Sequence, residues 1–94
     1  MSASIFNQGA YHSFVVGDNG NLIERYGNPP VLLNENVGTY AGILKPGSEV
    51  SVGRIVYDPD NPFYPAYFVT GLARNGLDSV TFVWTGNEWR VYGG

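Results

Sequence analysis

The chain offers its chemistry in two short clusters, Glu24-Arg25-Tyr26 and Trp84 with Asn87, Glu88, Trp89 and Arg90. Each sets a flat ring beside a carboxylate, a guanidinium or an amide. Such groups suit reversible recognition better than bond-making. A sugar ring has an apolar C–H face that an indole or phenol can match, and a rim of hydroxyls that the polar groups can satisfy. The expectation is a non-catalytic, lectin-like site with a glycan as partner. Trp84 and Trp89 suit a core equally well, because a small β domain needs large side chains to fill it.

Patterns for catalysis are missing. The single histidine, His12, has no Ser–Asp or metal-ligand partners at useful spacing and is assigned a structural role. Asp58 and Asp60 resemble a fragment of a calcium loop, but Pro59, Pro62 and the absent glutamate break that pattern, so they read as turn-formers. Nothing singles out a carboxylate pair of the kind that cleaves glycosides. The chain has no cysteine, which removes disulfides, thiolate metal sites and cysteine nucleophiles. The expectation is no enzyme activity, no cofactor and no metal.

The elements that must hold these clusters are strands. Val80, Phe82 and Trp84 alternate with Thr81 and Val83, and Trp89 and Val91 alternate with Glu88, Arg90 and Tyr92. That period of two marks strands with distinct faces. A two-residue Gly86-Asn87 loop would pair Trp84 directly with Trp89 on one face. Trp84 is then expected inside and Trp89 at the rim, flanked by Glu88 and Arg90. Upstream, strands are expected at 10–16 and 21–26 around Asn19-Gly20, and Gly27-Asn28-Pro29-Pro30 closes the second. Further strands are expected at 39–44, at 49–58 with a bulge or bend at Gly53, and at 66–70. Residues 31–39 give no clear assignment. Residues 58–65 read as a rigid loop carrying Phe63 and Tyr64, 71–78 as a loop, and 1–9 as an arm. Phe14 to Gly20 is echoed by Phe68 to Gly76 with two extra residues, a weak internal repeat suggesting two similar small sheets. No amphipathic helix of useful length is visible.

The 94 residues fit one all-β domain, which buries only roughly 60–65% of its unfolded surface. Five basic and eight acidic side chains give a net charge of −3, with the basic ones scattered. Nucleic-acid binding needs a concentrated positive field, so it is not expected. Charged residues are 14% of the chain, well under the roughly 25% usual for globular domains, and aromatics are 15%. Low charge and many tyrosines leave little to keep copies apart, so a homo-oligomer is expected to hide Tyr57, Phe63, Tyr64 and Tyr67. No apolar run reaches the roughly 20 residues of a membrane span. The first residues lack the features of a signal peptide, and the compartment is left open.

Three segments carry a resemblance: Asn19-Gly20-Asn21-Leu22-Ile23-Glu24-Arg25, residues 40–52, and Trp84-Thr85-Gly86-Asn87-Glu88-Trp89. Together they resemble the small fucose-binding lectins of the bacterial and fungal propeller family. The resemblance implies two propeller-like blades per chain, completed by oligomerisation into six, with sugar held between blades by an arginine, a glutamate and a tryptophan. Glu24 would match the glutamate, and Trp84 or Trp89 the aromatic. Two departures stand out. Ser13, Phe14 and Phe68 lie near the arginine's place, and Gly27-Asn28-Pro29-Pro30 replaces the first tryptophan turn. Residues 38–52 are also similar to the strand–turn–strand of bacterial SH3-like domains. That likeness implies the alternative of an SH3-like barrel, or a sandwich, binding peptide or cell-wall material. A purely structural assembly protein is the remaining alternative.

Overall fold

The computed structural model describes residues 3–37, 42–55 and 66–92. Eight strands run in order: β1 (Ala3–Asn7), β2 (Ala10–Val16), β3 (Leu22–Tyr26), β4 (Val31–Asn34), β5 (Val50–Arg54), β6 (Tyr67–Leu72), β7 (Ser79–Trp84) and β8 (Trp89–Tyr92). They form two four-stranded antiparallel sheets, β1-β2-β3-β4 and β5-β6-β7-β8, each a meander in sequence order. Among the described residues there is no helix, hence none long and apolar enough to cross a membrane. The sheets are open, so the expected alternative of an SH3-like closed barrel is not what forms.

Alternation decides the faces. Phe14, Val16 and Leu22 of the first sheet and Tyr67, Val69, Val80 and Phe82 of the second turn inward. They are buried together with Val37 and Leu44, which come from connecting segments. One core thus serves both sheets.

Several expectations are corrected. Within 1–9, residues Ala3–Asn7 are a strand, in register with β2 from Ala3↔Phe14 to Asn7↔Ala10. Ile5 packs on the core and Asn7 is buried, and two such residues were too few to betray a period. Residues 31–34 form the edge strand β4 directly after the two prolines. The expected strand at 49–58 is a strand only over Val50–Arg54, and 56–58 lie outside the described residues. Gly53 is not a bulge, because the β5–β6 register is continuous through it. A Cβ there would sit 2.7 Å from the Phe68 ring, so any larger residue requires that ring to move. The register shift falls instead between Glu24 and Arg25, paired with Asn34 and Leu32, which leaves Leu33 bulged. Of the expected 39–44 strand only 42–44 is described, and Leu44 makes a single bridge to Ala73. Tyr57, Phe63 and Tyr64 lie outside the described residues, whereas Tyr67 is buried and cannot be part of an exposed aromatic surface.

At one end of the molecule the sheets are latched by backbone groups. The 42–44 segment donates from Gly42 N to Asn21 Oδ1 (2.7 Å) and from Leu44 N to Gly20 O (3.2 Å). From the second sheet, Arg74 donates to Gly42 O (2.6 Å) and to Asn19 O (2.7 Å). Gly20 sits at the centre with φ +82°, and a Cβ there would lie 2.5 Å from Leu44 O and 2.7 Å from Arg74 Nη2. Gly47 has φ +73° but open space around it. Gly47→Ala is expected to cost about 1–2 kcal/mol through backbone strain alone. Gly20→Ala is expected to cost more than Gly47→Ala, about 3 kcal/mol, because it adds a clash with backbone. Urea unfolding of the two variants checks the order, and equal losses would show the latch to be dispensable.

Candidate functional site

At the opposite end of the same hairpins the inner faces part. Asn7, Gln8, His12, Glu24, Leu33 and Asn34 of the first sheet face Tyr67, Trp84 and Trp89 of the second across a cavity of about 270 Å³. The bulge at Leu33 brings that side chain and Asn34 to the wall. The register builds the rest. Tyr67 pairs with Trp84 and Trp84 with Trp89, so the three rings lie in one row across β6, β7 and β8. On the facing sheet Phe14 pairs with Glu24 and His12 with Tyr26, which makes His12 and Glu24 diagonal neighbours on one face.

Glu24 is the chemical centre. It is only 3% exposed, and its Oε2 accepts a hydrogen bond from His12 Nδ1 at 2.9 Å. Burial pushes its carboxyl above the ordinary 4.5, while the His12 hydrogen bond and charge, Trp89 and Tyr67 pull the other way. Tyr67 is held as a protonated donor, since burial and then the Glu24 charge push its hydroxyl well above 10. A buried carboxylate shifted by desolvation and facing a cavity is more typical of a working site than of a core.

The rings form an angled wall. Trp89 meets Tyr67 edge to face (5.6 Å, 90°) and Phe14 likewise (5.7 Å, 81°), while Trp84 tilts against Trp89 (5.6 Å, 53°). The direct Trp84–Trp89 pairing across a two-residue loop is as expected, with Thr85 N donating to Glu88 O. The expected division of labour is not. Both indoles are partly buried, and Trp89 is the one lodged against core rings, so it is no free rim platform.

Of the eight expected site residues, the structure brings Glu24, Trp84 and Trp89 together. Arg25 points from the other face of β3 to a separate, outer cavity that also includes Asp18, Asn21 and Glu35. Tyr26 is exposed and stacks on His12 (6.2 Å, 25°) without lining the cavity. Asn87, Glu88 and Arg90 serve the turn. Asn87 Oδ1 accepts from Thr85 Oγ1 (2.9 Å), and Arg90 Nη2 binds Glu88 Oε1 (2.8 Å) in solvent. Sequence reasoning missed His12, Asn7, Asn34 and Tyr67. For His12 a signal existed: it shares the period-two face of Phe14 and Val16, opposite a strand carrying Glu24.

No protein-family model matches this chain, and no curated protein or solved structure matches it either.

Two outcomes follow from the geometry. Trp89→Ala is expected to cost about 3–5 kcal/mol, more than Trp84→Ala, because it empties a space between Phe14 and Tyr67. Chemical unfolding ranks them. For Glu24 the sign is fixed by linkage: a raised pKa means that the folded state holds the proton more tightly than the unfolded chain does. The ionised form therefore opposes folding above the raised value, and that penalty fades as the pH falls through it toward 4.5. Glu24→Gln is expected to be at least as stable as the parent at pH 7, with the gap narrowing in acid. Thermal unfolding across that range checks it, and a variant markedly less stable at pH 7 would mean that the ion pair with His12 outweighs the burial penalty.

Proposed function

We propose that this cavity binds one sugar ring of a glycan, non-catalytically, in the manner of a lectin. The observation that carries the reading is a desolvated carboxylate, flanked by His12 and Tyr67, facing two indoles across a small cavity. Its volume of about 270 Å³ lies just under the roughly 300–1,000 Å³ usual for larger ligands, which suits a single ring. The indoles supply an apolar platform, and Glu24, Asn34, Asn7 and His12 supply hydrogen-bonding groups for hydroxyls. The resemblance to the fucose-binding propeller lectins supports the same assignment of Glu24 and of the Trp84–Trp89 pair. The family's arginine has no counterpart here, Ser13, Phe14 and Phe68 lying near its place, and His12 is the polar residue bonded to Glu24, so the preferred sugar need not be fucose.

The reading includes assembly of the chain with copies of itself. Two observations support it. Val31, Leu32 and Leu33 on the edge strand β4 are each about half exposed, an uncharged edge that invites pairing or cover. On the repeat alignment Phe14 corresponds to Phe68, yet Phe14 faces the shared core whereas its counterpart lies on the outer face of β6. Corresponding strands therefore present opposite faces to the junction. Front-to-back stacking of this kind leaves complementary faces at both ends, and closes into a ring where the rotation allows. Propeller-like blades are built that way.

A glycan array followed by calorimetric titration tests the ligand. Binding by the parent and its loss in Trp84→Ala, with the fold retained, are expected, and silence across the array removes the lectin reading. Light scattering at micromolar concentration tests the assembly. A clean, thermally robust monomer overturns it.

A further inference from the structure

Resting on the carbohydrate reading of this cavity, we infer that the sugar it favours carries a protonated amine, as in a 2-amino-2-deoxyhexose. The charge at the wall points that way. Among the described residues lining the cavity, Glu24 is the one acidic or basic side chain of Asp, Glu, Lys or Arg. Arg54, paired with Tyr67 in the register, bears on that phenol through its charge and is engaged with the Phe6 carbonyl oxygen. The remaining polar groups at the wall are amides, the His12 imidazole hydrogen-bonded to Glu24, and a phenol. An anionic sugar would thus meet a buried carboxylate at the wall, whereas an ammonium would be attracted to it.

The rings add a second, independent reason. Tyr67, Trp84 and Trp89 present planes at steep angles to one another, 90° between Tyr67 and Trp89 and 53° between the indoles, and all three line the cavity. A cation set against the face of any one of these rings is attracted by it, most strongly where water is excluded. A neutral sugar gains from one stacked ring. A sugar whose C2 substituent is an ammonium gains from the ring faces and from Glu24 together. Glu24 is already desolvated in the free protein, so a cation that reaches it recovers attraction without a new burial cost on the protein side. His12, Tyr67 and Trp89 already act as donors to Glu24, and since a carboxylate accepts at about four lone-pair positions, capacity remains for an ammonium donor.

The test compares matched sugars on the unmodified protein by calorimetry at pH 7. Glucosamine is set against glucose and N-acetylglucosamine, galactosamine against galactose, and glucuronate is included as the anionic member. The expected result is that the favoured amino sugar binds about tenfold tighter than its hydroxyl parent, with glucuronate weakest. Tetramethylammonium chloride is expected to displace it where sodium chloride of equal ionic strength does not. Glu24→Gln, shown to be folded by circular dichroism, is expected to bring the ratio of amine to parent-sugar affinity down to about one, whatever it does to the affinity of either. Should that variant fail to fold, the matched-sugar comparison on the parent protein still decides. Parent sugars binding as tightly as their amines would overturn the inference and leave the carbohydrate reading standing. An amine advantage that survives Glu24→Gln overturns the role given to that carboxylate. Absence of binding by every sugar removes the carbohydrate reading itself, and this inference with it.

Discussion

A carboxylate buried where two small sheets meet is the constraint around which the rest of the molecule is arranged. Taking Glu24 out of water is unfavourable, and the structure offsets the cost with a histidine on the neighbouring strand and with Tyr67 and Trp89 from the opposite sheet. Those partners come from β2, β6 and β8, so the environment of the group exists only when both sheets are folded and docked. The same requirement explains the bulge after Glu24. It shifts β4 by one residue and sets Asn34 and Leu33 at the wall of the cavity.

The two ends of the sheet pair do different work. At the Asn19–Asn21 turn the sheets are bound by main-chain hydrogen bonds through 42–44 and by the Arg74 guanidinium, with Gly20 packed too closely for any side chain. Between the ends lies the apolar core of Phe14, Val16, Leu22, Val69, Val80 and Phe82. At the far end the same inner faces carry rings and polar groups instead of aliphatics, and they stand apart around a cavity. Rigid fixation at one end allows an opening at the other without the sheets drifting, which is the condition for a preformed site.

The use of tryptophan reflects the same division. Trp89 is anchored by edge-to-face contacts with Phe14 and Tyr67, and Trp84 leans on Trp89. One indole joins the core to the site, and the other extends the apolar wall. A pair of rings in direct register is thereby both packing and surface. This is why neither the core role nor the platform role belongs wholly to one of them.

Strand alternation was legible from the chain alone. The period of two at Ala10–Val16 and Ser79–Trp84, the Asn-Gly turns, and the Trp84–Trp89 pairing across Gly86-Asn87 all depend on local sterics and neighbouring residues, which the sequence contains. Local reasoning also singled out Glu24 and both tryptophans, which line one cavity. It failed where the answer depends on a distant partner. β1 and β4 are too short to show a period, and they are strands because β2 and β3 supply hydrogen-bonding edges. At Gly53 the space for a Cβ is taken by the ring of a phenylalanine fifteen residues on, a fact no window around Gly53 contains. His12 joined Glu24, and Tyr67 left the surface for the core, through register and sheet docking. Arg25, Asn87, Glu88 and Arg90 stand beside the site in sequence but away from it in space, because successive residues of a strand point to opposite faces and turn residues satisfy one another first. The sequence determined which residues alternate and where the chain reverses. Only the docking of one sheet on the other decided which alternating face would be buried, and so which polar groups would meet.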